Sequence, residues 1–517
     1  MRANAFLPRG FGSADDRRIQ TALAARRRVP ATILDVLRSQ NAELPASPAR
    51  ESHLQTLSEA GSVVVATGQQ VGLFGGPLYS VYKAATAIVI ARALTREMGV
   101  RAVPLFWLQT EDQDFAEVAT TVVPVDNAPP LRLSLLEAPE AVRCSLADRV
   151  LGDDVAVLTD ALADAMAALP ASGEVLDLLR LHYRPGVSPG RAFAGVVGTL
   201  FAEDGLLLFD PRCRPVSEHA TPLLRRALTD APALELALES RVAALREAGF
   251  SEQIELRPGS PLVFFHLRDA RGPRYRLTRC EGGYAIHGGD GALTDAELLR
   301  TLDHDPLRFS TSALLRPILQ DTLFPTAVYV GGAAEVSYFA QLQPLYEAFD
   351  LEPPLIAERA HFRLVPPRVR SLLDKLALTP ADLDLPRSEL LEKAAVTGDA
   401  DLRPGTQWGA ELEQRLDRLA ASHKDQALER AVERARSSIL HALALLGERY
   451  QRITLERDQV RSSRLTRVEG WLRPEGSLQE RVFGFPAFAS FVGLDRFRRL
   501  LIDAVDPMNP GFREIDL

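Results

Sequence analysis

The chain has 517 residues, 46% of them hydrophobic and 25% charged, with a formal net charge of -8 at pH 7. That is a globular balance with material for two to four domains of roughly 100–200 residues each, and its acidity offers no general attraction for nucleic acid. No apolar run reaches membrane-spanning length, Met1-Arg2-Ala3-Asn4-Ala5-Phe6 lacks a signal peptide's apolar stretch, and Cys144, Cys213 and Cys280 form no CxxC pair, so the expectation is a reduced cytoplasmic protein without structural zinc or a disulfide framework.

Residues 1–60 read as short polar helices broken at Pro30 and Pro45. At Ser62 the character changes: Val63-Val64-Val65-Ala66 is an apolar run of the kind buried on both faces of a parallel sheet. Val81, Ala85, Ile88 and Arg92 then recur at helical spacing, and a second apolar run, Ala102 to Leu108, follows Gly99. Strand, helix and strand make a βαβ unit, which closes right-handed. Leu206 to Phe209, Leu262 to Phe265, Ala327 to Val330 and Leu355 to Ala357 are expected in the same sheet, with a helix from about Ala334 to Phe349. The domain division is therefore 61–120, 191–210 and 301–365 for an open α/β core, with insertions at 121–190 and 211–300. From 366 to 470 the chain is helical: Val432, Ile439, Leu446, Ile453 and Val460 fall at seven-residue intervals, with Leu428, Ala435 and Ala442 in the second seam position. Trp408, Leu412, Leu416 and Leu419 offer a shorter partner helix, turning near Ser422 to Asp425.

Three polar turns attract chemistry. In "VVVATGQQVGLFGGPLYSVYKAA" the first strand ends in Thr67-Gly68-Gln69-Gln70 and winds through Gly72, Gly75 and Gly76 to a helix at Pro77. Helix N-termini attract anions, glycines admit close approach, and Lys83 in the second turn leans back toward that end. The same glycines also occur where a strand merely has to meet a helix closely. A second such turn, "VYVGGAAEVSYFAQ", carries Tyr329, Gly331, Gly332, Glu335 and Tyr338, and Arg316, Gln320 and Asp321 precede its strand. The third, "FWLQTEDQDF", crowds Glu111, Asp112 and Asp114 after Trp107. Such carboxylates can hold an ammonium, hydroxyls or Mg²⁺, or form a solvated loop with one Asp as a helix cap. All three turns belong at the carboxyl edge of the sheet, where open α/β folds bind ligands.

"TGQQVGLFGGPLYSVYKA", "VPLFWLQTEDQDFAEV", "LLRPILQDTLFPTAVYVGGAAEVSYFAQLQP" and "RPEGSLQERVF" resemble the BshC family, cysteine ligases of bacillithiol biosynthesis, in blocks spread from about residue 60 to 485. The resemblance implies a Rossmann-type core similar to class I aminoacyl-tRNA synthetases, connecting-peptide insertions, a C-terminal coiled coil that makes a homodimer, and a segment 471–517 packing back on the core. It implies joining of L-cysteine to glucosaminyl-malate, with ATP as activator (ADP as product or bound ligand) and Mg²⁺ beside it. In that setting Glu111, Asp112 and Asp114 are the catalytic set. Thr67, Gly68, Gln69, Gln70, Gly72, Gly75, Gly76, Tyr79, Lys83 and Trp107 bind substrate or nucleotide, with Arg316, Gln320, Asp321, Tyr329, Gly331, Gly332, Glu335 and Tyr338. The family block EDHDFEE has Gln113 in place of its His here, Ala119-Thr120-Thr121 stands where a later His is usual, and of the synthetase signatures only His287-Gly288-Gly289 is an echo. Another nucleotide-dependent transferase, or a coiled-coil scaffold with a vestigial cleft, are the competing functions.

Overall fold

A computed structural model describes residues 6, 9–126, 128–289, 291–394, 406–422, 425–457 and 459–517. The chain divides into one unit of Met1–Val123, Leu131–Phe362 and Glu480–Arg513, and a second of Pro124–Pro130, Arg363–Gln479 and Glu514–Leu517.

The first unit opens with α1 (Ala14–Ala24), α2 (Ala31–Ala42) and α3 (Pro48–Ser58). Ser13 and Ser47 cap two of them by accepting backbone N–H bonds, and Pro30 leads the chain into α2. β1 (Ser62–Gln69) follows, with Val63 to Ala66 wholly buried as their unbroken apolar run requires. α4 (Leu78–Met98) ends at Gly99, whose φ of 65° supplies a left-handed terminus, and β2 (Arg101–Leu108) returns beside β1. Next come α5 (Phe115–Val118), an antiparallel pair β3 (Thr120–Val123) and β4 (Leu131–Ser134), and helices α6 (Asp154–Met166), α7 (Ser172–His182) and α8 (Pro189–Leu200). β5 (Leu207–Phe209) rejoins the main sheet, and α9 (Arg214–Thr229) and α10 (Ala231–Glu247) leave it.

An antiparallel sheet then forms from β6 (Val263–His266), β7 (Arg274–Cys280), β8 (Gly283–His287), β9 (Ala292–Thr294) and, beyond α11 (Asp295–His304), β10 (Phe309–Thr311). Here the structure corrects the sequence reading, which put Leu262 to Phe265 in the parallel sheet. β6 instead lies between β10 and β7, antiparallel to both. Four apolar residues mark a buried strand without stating its partners or its direction.

α12 (Arg316–Leu323), β11 (Thr326–Gly331), α13 (Ala333–Phe339), α14 (Gln343–Ala348) and β12 (Leu355–Glu358) complete the core. The single helix expected from 334 to 349 is two, because Pro344, in the first turn of α14, has no N–H with which to continue α13. The parallel sheet has the order β12-β11-β1-β2-β5. Crossovers from β1 and from β11 run to opposite sides, so the strand order reverses between these two strands, and Thr67 sits opposite Val330 at that switch point.

The second unit holds α15 (Pro367–Leu376), α16 (Arg387–Ala394), α17 (Thr406–Ser422), α18 (Gln426–Arg457) and α19 (Gln459–Leu472). Trp408, Leu412, Leu416 and Leu419 lie on α17, which packs on α18, and Arg436 of α18 reaches Asp417 at 2.6 Å. The seam is only partly covered: Val432 is buried, whereas Ile439, Leu446, Ile453 and Val460 keep 39%, 50%, 41% and 58% of their surface exposed. Residues 423 and 424, in the turn expected between Ser422 and Asp425, lie outside the described residues, as does 458 between α18 and α19.

Candidate active site

A cavity of about 500 Å³ opens off the carboxyl ends of β1, β2 and β11, lined among others by Gly68, Asp112 and Gly332. The three polar turns thus meet at one opening. Gly68 is there because a Cβ would lie 3.0 Å from the Trp107 carbonyl oxygen across the β1–β2 pair. Gln69, Gln70 and Trp107 line the cavity beside it, and Tyr79 and Lys83 enter from α4.

Lys83 is buried and fully bonded. Its Nζ donates to Gly68 O at 2.8 Å and to Gln69 Oε1 at 2.8 Å, and pairs with the Glu335 carboxylate. Glu335 in turn accepts from the Tyr329 hydroxyl at 2.7 Å and the Gly332 N–H at 2.9 Å. Burial pulls the Lys83 pKa down; burial also pushes Glu335 up, but the Lys83 ammonium and these donors hold it below the usual carboxylate range. Next to this pair, Arg316 donates to Gln320 Oε1 at 3.0 Å and to the Tyr329 and Tyr338 hydroxyls at 3.3 and 3.2 Å. Arg359, following β12, lies over the Tyr79 ring at 5.7 Å and is clamped by Glu480 through two bonds of 2.9 and 2.6 Å. Arg481 is exposed at the same edge.

Carboxylates line the cavity too. Gln70 Nε2 donates to Asp112 Oδ2 at 2.9 Å and to Glu117 Oε2 at 2.7 Å, tying two carboxylates together. Partial burial at the cavity mouth, aided by Asp112 and Asp114, raises the Glu117 pKa against the Gln70 bond. Arg274, stacked at 3.8 Å over Phe264, stands 3.9 Å from Asp112.

Several expected site residues do other work. Glu111 turns inward and accepts from the Thr311 hydroxyl at 3.0 Å, and Asp114 caps α5 by accepting the Glu117 N–H at 3.2 Å; neither lines the cavity. Thr67 donates to Val330 O at 2.8 Å, stitching β1 to β11. Gly72, Gly75 and Gly76 form no anion cradle. Tyr183 fills their turn, its hydroxyl donating to Gly72 O at 3.0 Å and accepting the Gly75 N–H at 3.0 Å. A Cβ on Gly75, where φ is +88°, would lie 2.6 Å from the Phe485 ring. The first N–H of α4, from Leu78, is already bonded to Phe483 O at 2.8 Å, so this helix terminus is closed by the returning chain. Gln320 braces Arg316, Asp321 accepts from the Tyr346 hydroxyl at 2.6 Å, and Gly331 packs on Glu335; all three stand behind the wall.

Glu117, Arg274, Arg359 and Arg481 are site residues that the sequence reading missed. Glu117 stands in the acidic block itself and Arg481 in "RPEGSLQERVF", but Arg359 and Arg274 carry no local signal. His266 and His361 are structural: burial and nearby arginines drive His266 down to about 3, and His361 bonds Glu480 at 2.9 Å. His287 ends β8 in the antiparallel sheet, and none of Cys144, Cys213 and Cys280 lines the cavity. Among the described residues, no group of three or more His, Cys, Asp and Glu is arranged to hold a metal ion, and no helix is long and apolar enough to cross a membrane.

A family model described as "Bacillithiol biosynthesis BshC, N-terminal Rossmann-like domain" matches residues 11–360, and one described as "Bacillithiol biosynthesis BshC, C-terminal coiled-coil domain" matches 362–517. A Koribacter versatilis protein named "Putative cysteine ligase BshC" is 35% identical over 486 residues, 92% of this chain and 87% of its own length. A protein of the same name from Salinibacter ruber is 34% identical over 491 residues, with the same coverage of 92% and 87%. Among solved structures, one titled "putative arginyl t-RNA synthetase" from Campylobacter jejuni is 9% identical, covers 90% of this chain and 99% of its own, and has a TM-score of 0.23, too low to carry fold or function across. With the two family domains together spanning residues 11–517, the chain belongs to the BshC family of bacillithiol biosynthesis.

Proposed function

We propose that this chain is a cysteine ligase that joins the carboxyl of L-cysteine to the amine of glucosaminyl-malate, with ATP activating the carboxyl. Family membership supports the reaction. The observation that carries it to this cavity is that its lining joins two carboxylates, Asp112 and Glu117, with Arg316, Arg359, Arg481 and the Lys83–Glu335 pair. Amide formation needs a neutral amine held against a carboxyl whose oxygen can depart. ATP, when bound, supplies that departure by taking the carboxyl oxygen away on phosphate as the C–N bond forms. These two carboxylates receive the amine: Asp112 orients it, and Glu117 accepts the proton released on attack. Arginines suit planar carboxylates, so Arg359 and Arg481 hold the malyl group, with Arg316 deeper in the cavity. Asp112 and Glu117 are only two carboxylates and already share the Gln70 amide, so they make no magnesium site by themselves. Magnesium would arrive on the phosphates of the nucleotide.

The partner in solution is a second copy of the chain, docked through the exposed Ile439–Leu446–Ile453–Val460 seam, since a heptad stripe of this length needs cover. Sedimentation of the full chain and of an Ile439→Glu, Leu446→Glu variant tests this: the wild type runs as a dimer and the variant as a monomer.

The ligase reading is tested by mass spectrometry of enzyme, ATP, cysteine and glucosaminyl-malate, with wild type and Lys83→Ala. Condensed product appears with the wild type and requires cysteine. Absence of product under every nucleotide condition removes the assignment, and cysteine-independent consumption of ATP with a sugar acceptor replaces it with a transferase.

A further inference from the structure

Among the described residues, four cations border the candidate active site from buried positions: Lys83, Arg274, Arg316 and Arg359. Every terminal nitrogen of Lys83, Arg316 and Arg359 donates to an acceptor within the protein. Arg274 differs, and the antiparallel sheet that holds it shows how. It begins β7, and β6 lies between β7 and β10 with Phe264 opposite both Arg276 and Ser310. Arg274 Nε donates to Ser310 Oγ at 2.8 Å and Nη2 to Thr311 O at 2.8 Å, while the Phe264 ring stacks 3.8 Å from the guanidinium. Two bonds and a ring fix the group in plane and in direction, at 6% exposure.

Its Nη1 makes no hydrogen bond among the described residues and is not sealed from solvent. The one ion pair of Arg274 among those residues, with Asp112 Oδ1, spans 3.9 Å, beyond hydrogen-bonding length. Asp112 does not close that gap, because its oxygens are held elsewhere. Oδ1 accepts the Gln113 and Asp114 N–H groups at 2.7 and 3.3 Å, and Oδ2 accepts from Gln70 at 2.9 Å. A buried guanidinium faced only by a distant charge is completed by an anion that bonds it directly. A planar carboxylate fits, since Nη1 and the remaining N–H of Nη2 form a fork.

We propose that Arg274 binds the carboxylate of the amino-acid substrate, the carboxyl destined for the amide, an assignment that rests on the ligase reading above. Asp112, 3.9 Å away, orients the attacking amine, so the two groups set nitrogen and carboxyl carbon side by side. As the C–N bond forms, the acyl oxygen gains negative charge, which Nη1 carries until phosphate departs and Glu117 takes the proton of the amine. Arg274 thus selects an α-amino acid over the corresponding amine and also acts on the bond-forming step.

Kinetics and calorimetry on the full chain test it with two variants. Arg274→Lys keeps the charge and loses the fork; Ser310→Ala removes the acceptor of Nε and leaves the arginine in place. Thermal melts establish which variants fold, and Ser310→Ala decides if Arg274→Lys does not. Arg274→Lys raises the KM for cysteine about tenfold or more and lowers kcat, with the KM for glucosaminyl-malate changed less than about twofold. Ser310→Ala moves the cysteine KM the same way by about threefold. In calorimetry the wild type binds L-cysteine about tenfold or more tighter than cysteamine, which lacks the carboxyl, and Arg274→Lys loses that preference. The two possible failures are distinguishable. No product from the wild type, together with an Arg274-dependent preference for L-cysteine, removes the ligase reading and keeps the carboxylate site. Product from the wild type overturns the role of Arg274, and leaves the ligase reading standing, if the cysteine KM is unmoved in the folded variants or the shift falls on glucosaminyl-malate instead. Equal or absent affinity for L-cysteine and cysteamine overturns it as well.

Discussion

Breaking the Lys83–Glu335 pair should be more costly from the Glu335 side than from the Lys83 side. Truncating one partner of a buried pair costs about 3–5 kcal/mol, because the other charge stays behind. Lys83 is 3% exposed and Glu335 is 22% exposed along its side chain, so an abandoned Glu335 regains some water and an abandoned Lys83 does not. Lys83→Met therefore sits near the low end, about 3 kcal/mol. For Glu335→Gln the ceiling is the work of deprotonating Lys83: from its ordinary 10.5 to pH 7 is 3.5 pH units, which at about 1.36 kcal/mol each is about 5 kcal/mol. The pH dependence has a definite sign. Folded Lys83 holds its proton less tightly than the unfolded chain does, so unfolding takes up a proton and stability rises with pH toward 10.5. In Glu335→Gln that slope steepens, and by pH 9 the ceiling falls to about 2 kcal/mol. The Lys83→Met, Glu335→Gln double variant removes both charges and is more stable than the sum of the single losses predicts, by about 2–3 kcal/mol. Urea unfolding of the four proteins at pH 7 and pH 9 measures all of this. Losses that simply add within about 0.5 kcal/mol, or a Glu335→Gln deficit that does not shrink at pH 9, would refute the buried pair.

Three further outcomes follow from the same geometry. Glu117→Gln lowers product formation by about 10²–10⁴-fold and removes the acid limb of the kcat/KM profile, because the base must be unprotonated; an unchanged acid limb would assign the proton elsewhere. His361 sits above its ordinary 6.5 despite burial, through its bonds to Glu358 and Glu480, so the stability it contributes is complete below 6.5 and is lost as pH climbs through the raised value; His361→Gln flattens that slope in a pH series of thermal melts. Cys144→Ser, Cys213→Ser and Cys280→Ser each keep turnover, since no protein thiol lies in the cavity; a folded single variant without activity contradicts this.

What could be read in advance follows the range of the physics involved. β1, α4 and β2 are written in consecutive residues, and their parallel pairing follows from the handedness of one crossover. The meeting of Gly68, Asp112 and Gly332 follows from all three ending strands on one edge. Local pattern misassigned the rest. The apolar run at 262–265 says buried strand and nothing about neighbours. The glycines at 72, 75 and 76 look like a phosphate loop until Tyr183 and Phe485, more than a hundred residues away, are seen to fill it. Lys83 looks like a free cation until Glu335 is placed against it. Arg359 and Arg274 are invisible because a lone arginine just after one strand or at the start of another is ordinary, and only the folded chain shows which one borders a cavity.

The residues that finish the site arrive late. Glu480, Arg481 and Phe483 clamp Arg359, edge the cavity and seal the start of α4, yet they follow α4 by some four hundred positions, after the whole helical unit has been made. During synthesis the strands of the sheet can form early, but this edge of the cavity stays unfinished until residues 480–483 have been made. A chain broken off within the heptads would thus carry the strands of the sheet without Glu480, Arg481 and Phe483 at the cavity.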